Sequence, residues 1–61
     1  MRLYELRKKK GVTQKAVADV IECSANNYAR YERGDRAPDI ETLKRWSKYF
    51  GETIDYIVCN D

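Results

Sequence analysis

The residue types most capable of specific chemistry sit close together in the 61-residue chain. Ala25, Asn26, Asn27 and Arg30 fall at the start and along the outward side of a predicted helix, opposite Tyr28 and Tyr31. An Asn amide can pair bidentately with adenine N6 and N7, an Arg fork with guanine O6 and N7, and an Ala methyl can touch the thymine methyl. A good bidentate pair is worth roughly 1–3 kcal/mol of discrimination between bases. The plainer reading makes Asn26 and Asn27 polar surface residues of a first helical turn. Catalysis has less to work with. The chain has no His, only Cys23 and Cys59, and no paired carboxylates in an evident pocket. Tetrahedral zinc held by Cys and His is therefore out, and no catalytic residue, metal or cofactor is expected.

The composition bounds what such a surface can belong to. Twelve Lys plus Arg stand against ten Asp plus Glu, with 43% apolar and 36% charged residues, the signature of one small, highly charged globular domain over residues 1–61. No apolar run approaches the roughly 20 residues of a membrane span, and the first residues are charged, so neither insertion nor export is expected. A cytoplasmic setting follows, with Cys23 as a reduced core thiol and Cys59 in the tail; a bridge between them is the less favoured alternative. The net charge of +2 is unevenly divided. From Met1 to Arg36 nine bases face five acids, giving +4, whereas from Ala37 onward three bases face five acids, giving −2. That asymmetry suits a face turned toward a polyanion, although a solvated basic face with no partner produces the same pattern.

Sparse punctuation divides the chain into five short helical pieces. The first runs from about Arg2 to Lys10, with Leu3 and Leu6 on one side, a Lys8-Lys9-Lys10 run at its negative pole and Gly11 at its stop. Val12 enters the core. Thr13 caps a second piece, about Gln14 to Ile21, in which Val17, Ala18 and Ile21 recur at helical spacing. Ser24 caps a third, Ala25 to Arg33, ended by Gly34, with Tyr28 and Tyr31 inward. After the Asp35-Arg36-Ala37-Pro38 loop, Pro38-Asp39 introduces a fourth that reaches Phe50, with Leu43, Trp46, Ser47 and Phe50 on one face. Gly51 ends it, Thr53 caps a last turn through Ile54, Tyr56, Ile57 and Val58, and Asn60-Asp61 is a polar ending. No strand signal competes, so the fold class is all-α with short connections.

The stretch Thr13 to Gly34 reads as a capped helix, a tight turn and a second capped helix, with the small residue Ala18 where the helices pass closely. Together with Gly11-Val12-Thr13-Gln14, Ile21, Ser24, Arg30-Tyr31-Glu32-Arg33-Gly34, Pro38, Leu43, Phe50-Gly51 and Asp55-Tyr56-Ile57, it resembles the phage repressor/Cro-like, or XRE-like, helix-turn-helix family. The resemblance covers about Leu3 to Val58. It implies a compact five-helix, lambda-repressor-like DNA-binding domain, with the helix-turn-helix at about 14–33 and the recognition helix at about 25–33 in the major groove. It also implies a homodimer on a two-fold site in double-stranded DNA. By position, Ala25, Asn26, Asn27 and Arg30 face bases, while Gln14 approaches a phosphate and braces the recognition helix. Thr13, Arg36 and the backbone of Ala37 are further phosphate candidates. Arg7 is expected to pair with Glu32, tying the first helix to the third. For Lys8, Lys9, Lys10, Lys15 and Arg33 a plain solvated surface explains the charge equally well.

Three positions depart from the family pattern. Glu22 stands where Gly usually takes positive φ, at a cost of about 1 kcal/mol or a shifted turn. Tyr28 replaces an aliphatic residue, so its ring must fill the core or reach the groove edge. Glu52 replaces an apolar residue and is expected to loosen the last joint and the dimer surface. Ile54, Tyr56 and Val58 are a candidate dimer patch, and packing against the chain's own core accounts for them equally well. The expected function is sequence-specific DNA binding by a small transcriptional regulator without a sensor domain or small-molecule ligand. The alternative is a helical protein-interaction module, antitoxin-like or partner-binding, that does not read DNA.

Overall fold

The computed structural model describes residues 1–59; the Asn60-Asp61 ending lies outside the described residues. They form five helices, α1 (Leu3–Lys10), α2 (Gln14–Val20), α3 (Ala25–Arg33), α4 (Ile40–Phe50) and α5 (Ile54–Val58), and among them there is no strand. The start of each helix after α1 is set by a side chain. The Thr13, Ser24 and Thr53 hydroxyls and the Asp39 carboxylate accept the N–H of Ala16, Asn27, Tyr56 and Thr42 at 3.1, 3.1, 3.1 and 2.8 Å. Each satisfies a donor that the helix itself leaves free, and losing a hydroxyl cap typically costs about 1 kcal/mol. No helix among the described residues is long and apolar enough to cross a membrane.

Two boundaries differ from the sequence expectation. Arg2 is the residue before α1 and makes no side-chain cap, so α1 starts at Leu3. At the other difference, α2 stops at Val20 and Ile21 is the half-helical residue that follows. The reason is the closing motif. Cys23 N–H returns to Ala18 C=O at 3.1 Å and Glu22 N–H to Asp19 C=O at 3.2 Å, the paired bonds that end a helix when the residue between takes the left-handed conformation. That residue is Glu22, with φ of 57°, the one non-glycine residue at positive φ among those described.

Leu3, Leu6, Val17, Ala18, Tyr28, Tyr31, Trp46 and Ile57 form the buried core. Val12, Ile21, Cys23, Leu43 and Phe50 pack against it only partly buried, so the expected core positions Val12 and Cys23 form its margin. Trp46 is the hub. Its ring meets Tyr28 edge-on at 6.0 Å and Tyr31 at 5.1 Å between centroids, so α4 grips the inner face of α3 through two aromatic pairs. Such pairs add about 0.5–1.5 kcal/mol each beyond the area they bury. Tyr28 therefore fills the core, answering the choice its size posed. The joint after α4, where the Glu52 departure falls, is closed by hydrogen bonds to the main chain. Ser47 C=O accepts from both Gly51 and Glu52 N–H at 2.9 and 3.2 Å, and Ser47 Oγ donates to Glu52 C=O. These bonds use only the backbone of Glu52, which explains why the side-chain departure does not undo them. The chain start is tied to α5 by Arg2 N–H to Ile57 C=O at 2.8 Å.

Candidate nucleic-acid interface

α3 has two chemically distinct sides because aromatic residues recur at i and i+3. Tyr28 and Tyr31 are buried, whereas Asn26, Asn27 and Arg30 are exposed and Ala25 is half-buried at the helix start. Among the described residues, the side chains of Asn26, Asn27 and Arg30 take part in no hydrogen bond or ion pair, so their polar groups remain available to a ligand. Ser24 fixes the first turn that presents them, by accepting the Asn27 N–H.

The orientation of that surface is set by a polar cluster on Glu32. Arg7 Nε donates to Glu32 Oε2 at 2.7 Å and Arg7 Nη2 to Oε1 at 3.4 Å, a two-pronged pair linking α1 to α3. Gln14 Nε2 donates to the same Oε1 at 3.2 Å, adding α2, and Arg7 Nη1 donates to Val12 C=O at 3.3 Å. Three helices thus converge on one carboxylate. Its side chain is 8% exposed and that of Arg7 13%, so solvent screens the pair little. Burial works to raise the Glu32 pKa, but Arg7 first, then the nearby Tyr28 hydroxyl and the Gln14 amide, outweigh it and hold the carboxyl below its ordinary range. The Tyr28 hydroxyl lies beside this cluster, where burial and the Glu32 charge push its pKa up, yet it completes no hydrogen bond.

Both flanks of α3 carry the remaining candidates. On one side an open trough is lined by Arg7, Lys8, Gly11, Val12, Thr13, Gln14, Lys15 and Ala25, which brings the start of α2 beside the start of α3. Thr13 is exposed and Gln14 half-buried. On the other side Arg36 holds its guanidinium 5.2 Å from the centre of the Tyr31 ring, and Ala37 is exposed next to it. The cation–ring contact gives the loop arginine a preferred place on α3, and Arg33 is held by Asp35 at 3.0 Å.

The candidate dimer residues do not behave as one set. Tyr56 and Val58 are 40% and 41% exposed and Ile54 is half-buried, while the residue α5 commits to the core is Ile57. Sequence reasoning missed Arg45, which reaches back from α4 to Glu22 at 3.1 Å and also lies 3.7 Å from Glu41. It also missed the stacking of Arg36 on Tyr31. Neither contact has a periodic signal, since each joins residues from different elements.

Five short helices, four of them started by a capping side chain, a tight left-handed turn between the second and third, and a third helix with one buried and one free polar side define a helix-turn-helix domain. A family model described as helix-turn-helix matches residues 3–57. The chain belongs to the XRE-like, phage repressor-type helix-turn-helix family. It is 40% identical over 60 residues to the HTH-type transcriptional regulator ImmR of Bacillus subtilis (strain 168), covering 98% of this chain and 47% of that protein. AnsR, an HTH-type transcriptional regulator of the same organism, is 39% identical over 57 residues, or 93% of this chain and 49% of its own length. The cryptic phage CTXphi transcriptional repressor RstR of Vibrio cholerae is 32% identical over 57 residues, covering 93% and 51%. Among solved structures, a transcriptional regulator from Listeria innocua superposes with a TM-score of 0.87 at 32% identity, covering 98% of this chain and 62% of that one. The chain spans about half the length of the curated relatives it matches.

Proposed function

We propose that this domain binds double-stranded DNA sequence-specifically as the reading part of a transcriptional regulator, with α3 in the major groove. The observation that carries the reading is the free polar side of α3, held in place by caps, aromatic packing and the Glu32 cluster. Family membership and relatives named as transcriptional regulators support it. Ala25, Asn26, Asn27 and Arg30 face base edges. Thr13, Gln14, Arg36 and the Ala37 backbone meet phosphates on the two flanks. Gln14 has one amide hydrogen engaged by Glu32, which leaves the other to a phosphate oxygen, so it braces and binds at once. Arg7 and Glu32 act structurally and orient α3.

The domain works as a homodimer on a two-fold operator, in the cytoplasm, with Ile54, Tyr56 and Val58 as the contact between copies. It performs no catalysis and needs no small-molecule ligand. Selection from random duplexes tests the reading: the expected product is a palindromic consensus. Asn26→Ala, Asn27→Ala and Arg30→Ala should each cost about 1–3 kcal/mol on that consensus and relax it at one position. Arg36→Ala should weaken all sequences alike and reduce the salt slope by about one. Absence of any consensus, with binding insensitive to salt, would refute the proposal.

A further inference from the structure

The DNA reading leaves a second surface unused. Val20, Arg45, Lys48 and Tyr49 line a groove of about 320 Å³ between the end of α2 and the flank of α4. At 100° per residue, Arg45, Lys48 and Tyr49 fall within an arc of about 100° on α4, with Lys48 turned away from Trp46 and Tyr49 next to it at the core margin. Trp46 packs beneath Tyr28 and Tyr31, so α4 lies on the opposite side of α3 from Asn26, Asn27 and Arg30. The groove therefore does not share the face that carries Asn26, Asn27 and Arg30.

Its chemistry is an apolar floor with a cationic rim. Val20 and Tyr49 are half-buried and supply the floor. Lys48 lines the groove and is exposed, and Lys10, outside the lining itself, extends from α1 with Nζ 4.8 Å from the centre of the Tyr49 ring. Arg45 is engaged by Glu22 and Glu41, but neither Lys10 nor Lys48 has an acidic partner among the described residues. Two unneutralised ammonium groups beside a half-covered Tyr and Val complement one kind of ligand, an apolar side chain flanked by carboxylates. Bare polyanions would leave the floor wet, and a purely apolar segment would leave the lysines unanswered.

We infer that the Val20–Tyr49 groove is a docking site for an acidic, apolar segment of a partner protein. The inference does not rest on the DNA reading. It assigns the domain two faces, one on each side of the α3–α4 pair.

The test uses the whole chain, isotope-labelled, titrated with a capped peptide carrying a central Leu-Phe pair flanked by glutamates. Its lysine counterpart serves as control. The expected result is NMR shift changes centred on Val20, Arg45, Lys48 and Tyr49, no binding of the lysine peptide, and at least about a tenfold loss of affinity in Lys10→Gln/Lys48→Gln. Both substitutions are on the surface, and an unchanged melting temperature verifies that the fold is intact. Shifts centred on α3 or scattered over all lysines, equal binding of the two peptides, or unchanged affinity in the double variant each overturn the inference. So does the appearance of the same shifts when the protein alone is concentrated, which would make the groove a contact between copies. Duplex DNA that shifts Lys10 and Lys48 overturns it as well, while loss of DNA binding through Asn26→Ala leaves it untouched.

Discussion

Replacing Glu32 by Gln probes the cluster on which α1, α2 and α3 converge. The wild-type carboxylate accepts three hydrogen bonds, two from Arg7 and one from Gln14, and both partners of the ion pair are nearly buried. The amide offers one acceptor oxygen in place of two and turns an NH2 group toward donors, leaving the Arg7 charge without a counter-ion. Breaking a buried pair by removing one partner costs about 3–5 kcal/mol, and the residual amide hydrogen bond reduces this to about 2–4 kcal/mol. Domains of this size have only about 3–9 kcal/mol in total. At about 4–8 °C per kcal/mol, melting should fall by roughly 10–30 °C by calorimetry or circular dichroism. The loss should persist in high salt, because the pair is shielded from solvent. Arg7→Met/Glu32→Met, which removes both charges, should recover at least half of it. A Glu32→Gln loss below about 0.5 kcal/mol, the level of an exposed pair, would refute the reasoning, as would a double variant no more stable than the single one.

Other perturbations separate the remaining terms. Burial raises and hydrogen bonding lowers the Glu32 pKa, with a net value below the ordinary 4.5, so its stabilisation is complete above that pH and disappears as pH falls through the folded value. Urea midpoints measured from pH 6 downward should drop in acid, and should drop less in Glu32→Gln. Glu22→Gly should raise stability by up to about 1 kcal/mol, because glycine relieves the 57° φ, while the exposed Arg45 contact it gives up is worth little; a marked loss would mean that the Arg45 bridge, not the turn, dominates. Tyr28→Phe should leave melting unchanged or raise it, since the hydroxyl is buried without a hydrogen bond; a loss above about 1 kcal/mol would show that it supports Glu32 after all. Ser24→Ala should cost about 1 kcal/mol by melting, and amide exchange should accelerate first at the start of α3.

Local rules made most of the fold legible. Thr13, Ser24, Asp39 and Thr53 announce helix starts because a short polar side chain can reach only the N–H two or three positions ahead. Gly11, Gly34 and Gly51 announce ends because all three take positive φ. Where the signal is not local, spacing is silent, and the Arg7–Glu32 pair, 25 residues apart, follows from the family resemblance alone. Ile21 fits the helical spacing of α2 yet falls in the closing turn, since periodicity does not register where the hydrogen-bond ladder ends. Val12 and Cys23 are apolar but lie at the rim, because a chain this short has too little volume to bury every hydrophobic residue. Of the candidate interface, α3 and its two sides could be read from spacing. The Arg45–Glu22 and Arg36–Tyr31 contacts depend on how elements meet in space, and nothing in the order of residues encodes that.

The division of labour within α3 has a consequence for how such a domain can change. Its internal interactions run through Ser24 at the start, Tyr28 and Tyr31 against Trp46, Glu32 against Arg7 and Gln14, and Gly34 at the end. None of them uses the side chains of Asn26, Asn27 or Arg30. Substitutions far apart without shared partners act additively, so altering those three should shift what is recognised at almost no cost in stability. A domain with a few kcal/mol in reserve has little tolerance elsewhere. The same separation predicts that Asn26, Asn27 and Arg30 variants melt within about 0.5 kcal/mol of the parent even when binding is lost, as expected for surface substitutions. If they melt much lower, the free side of α3 is part of the fold, and the reading surface must be sought elsewhere.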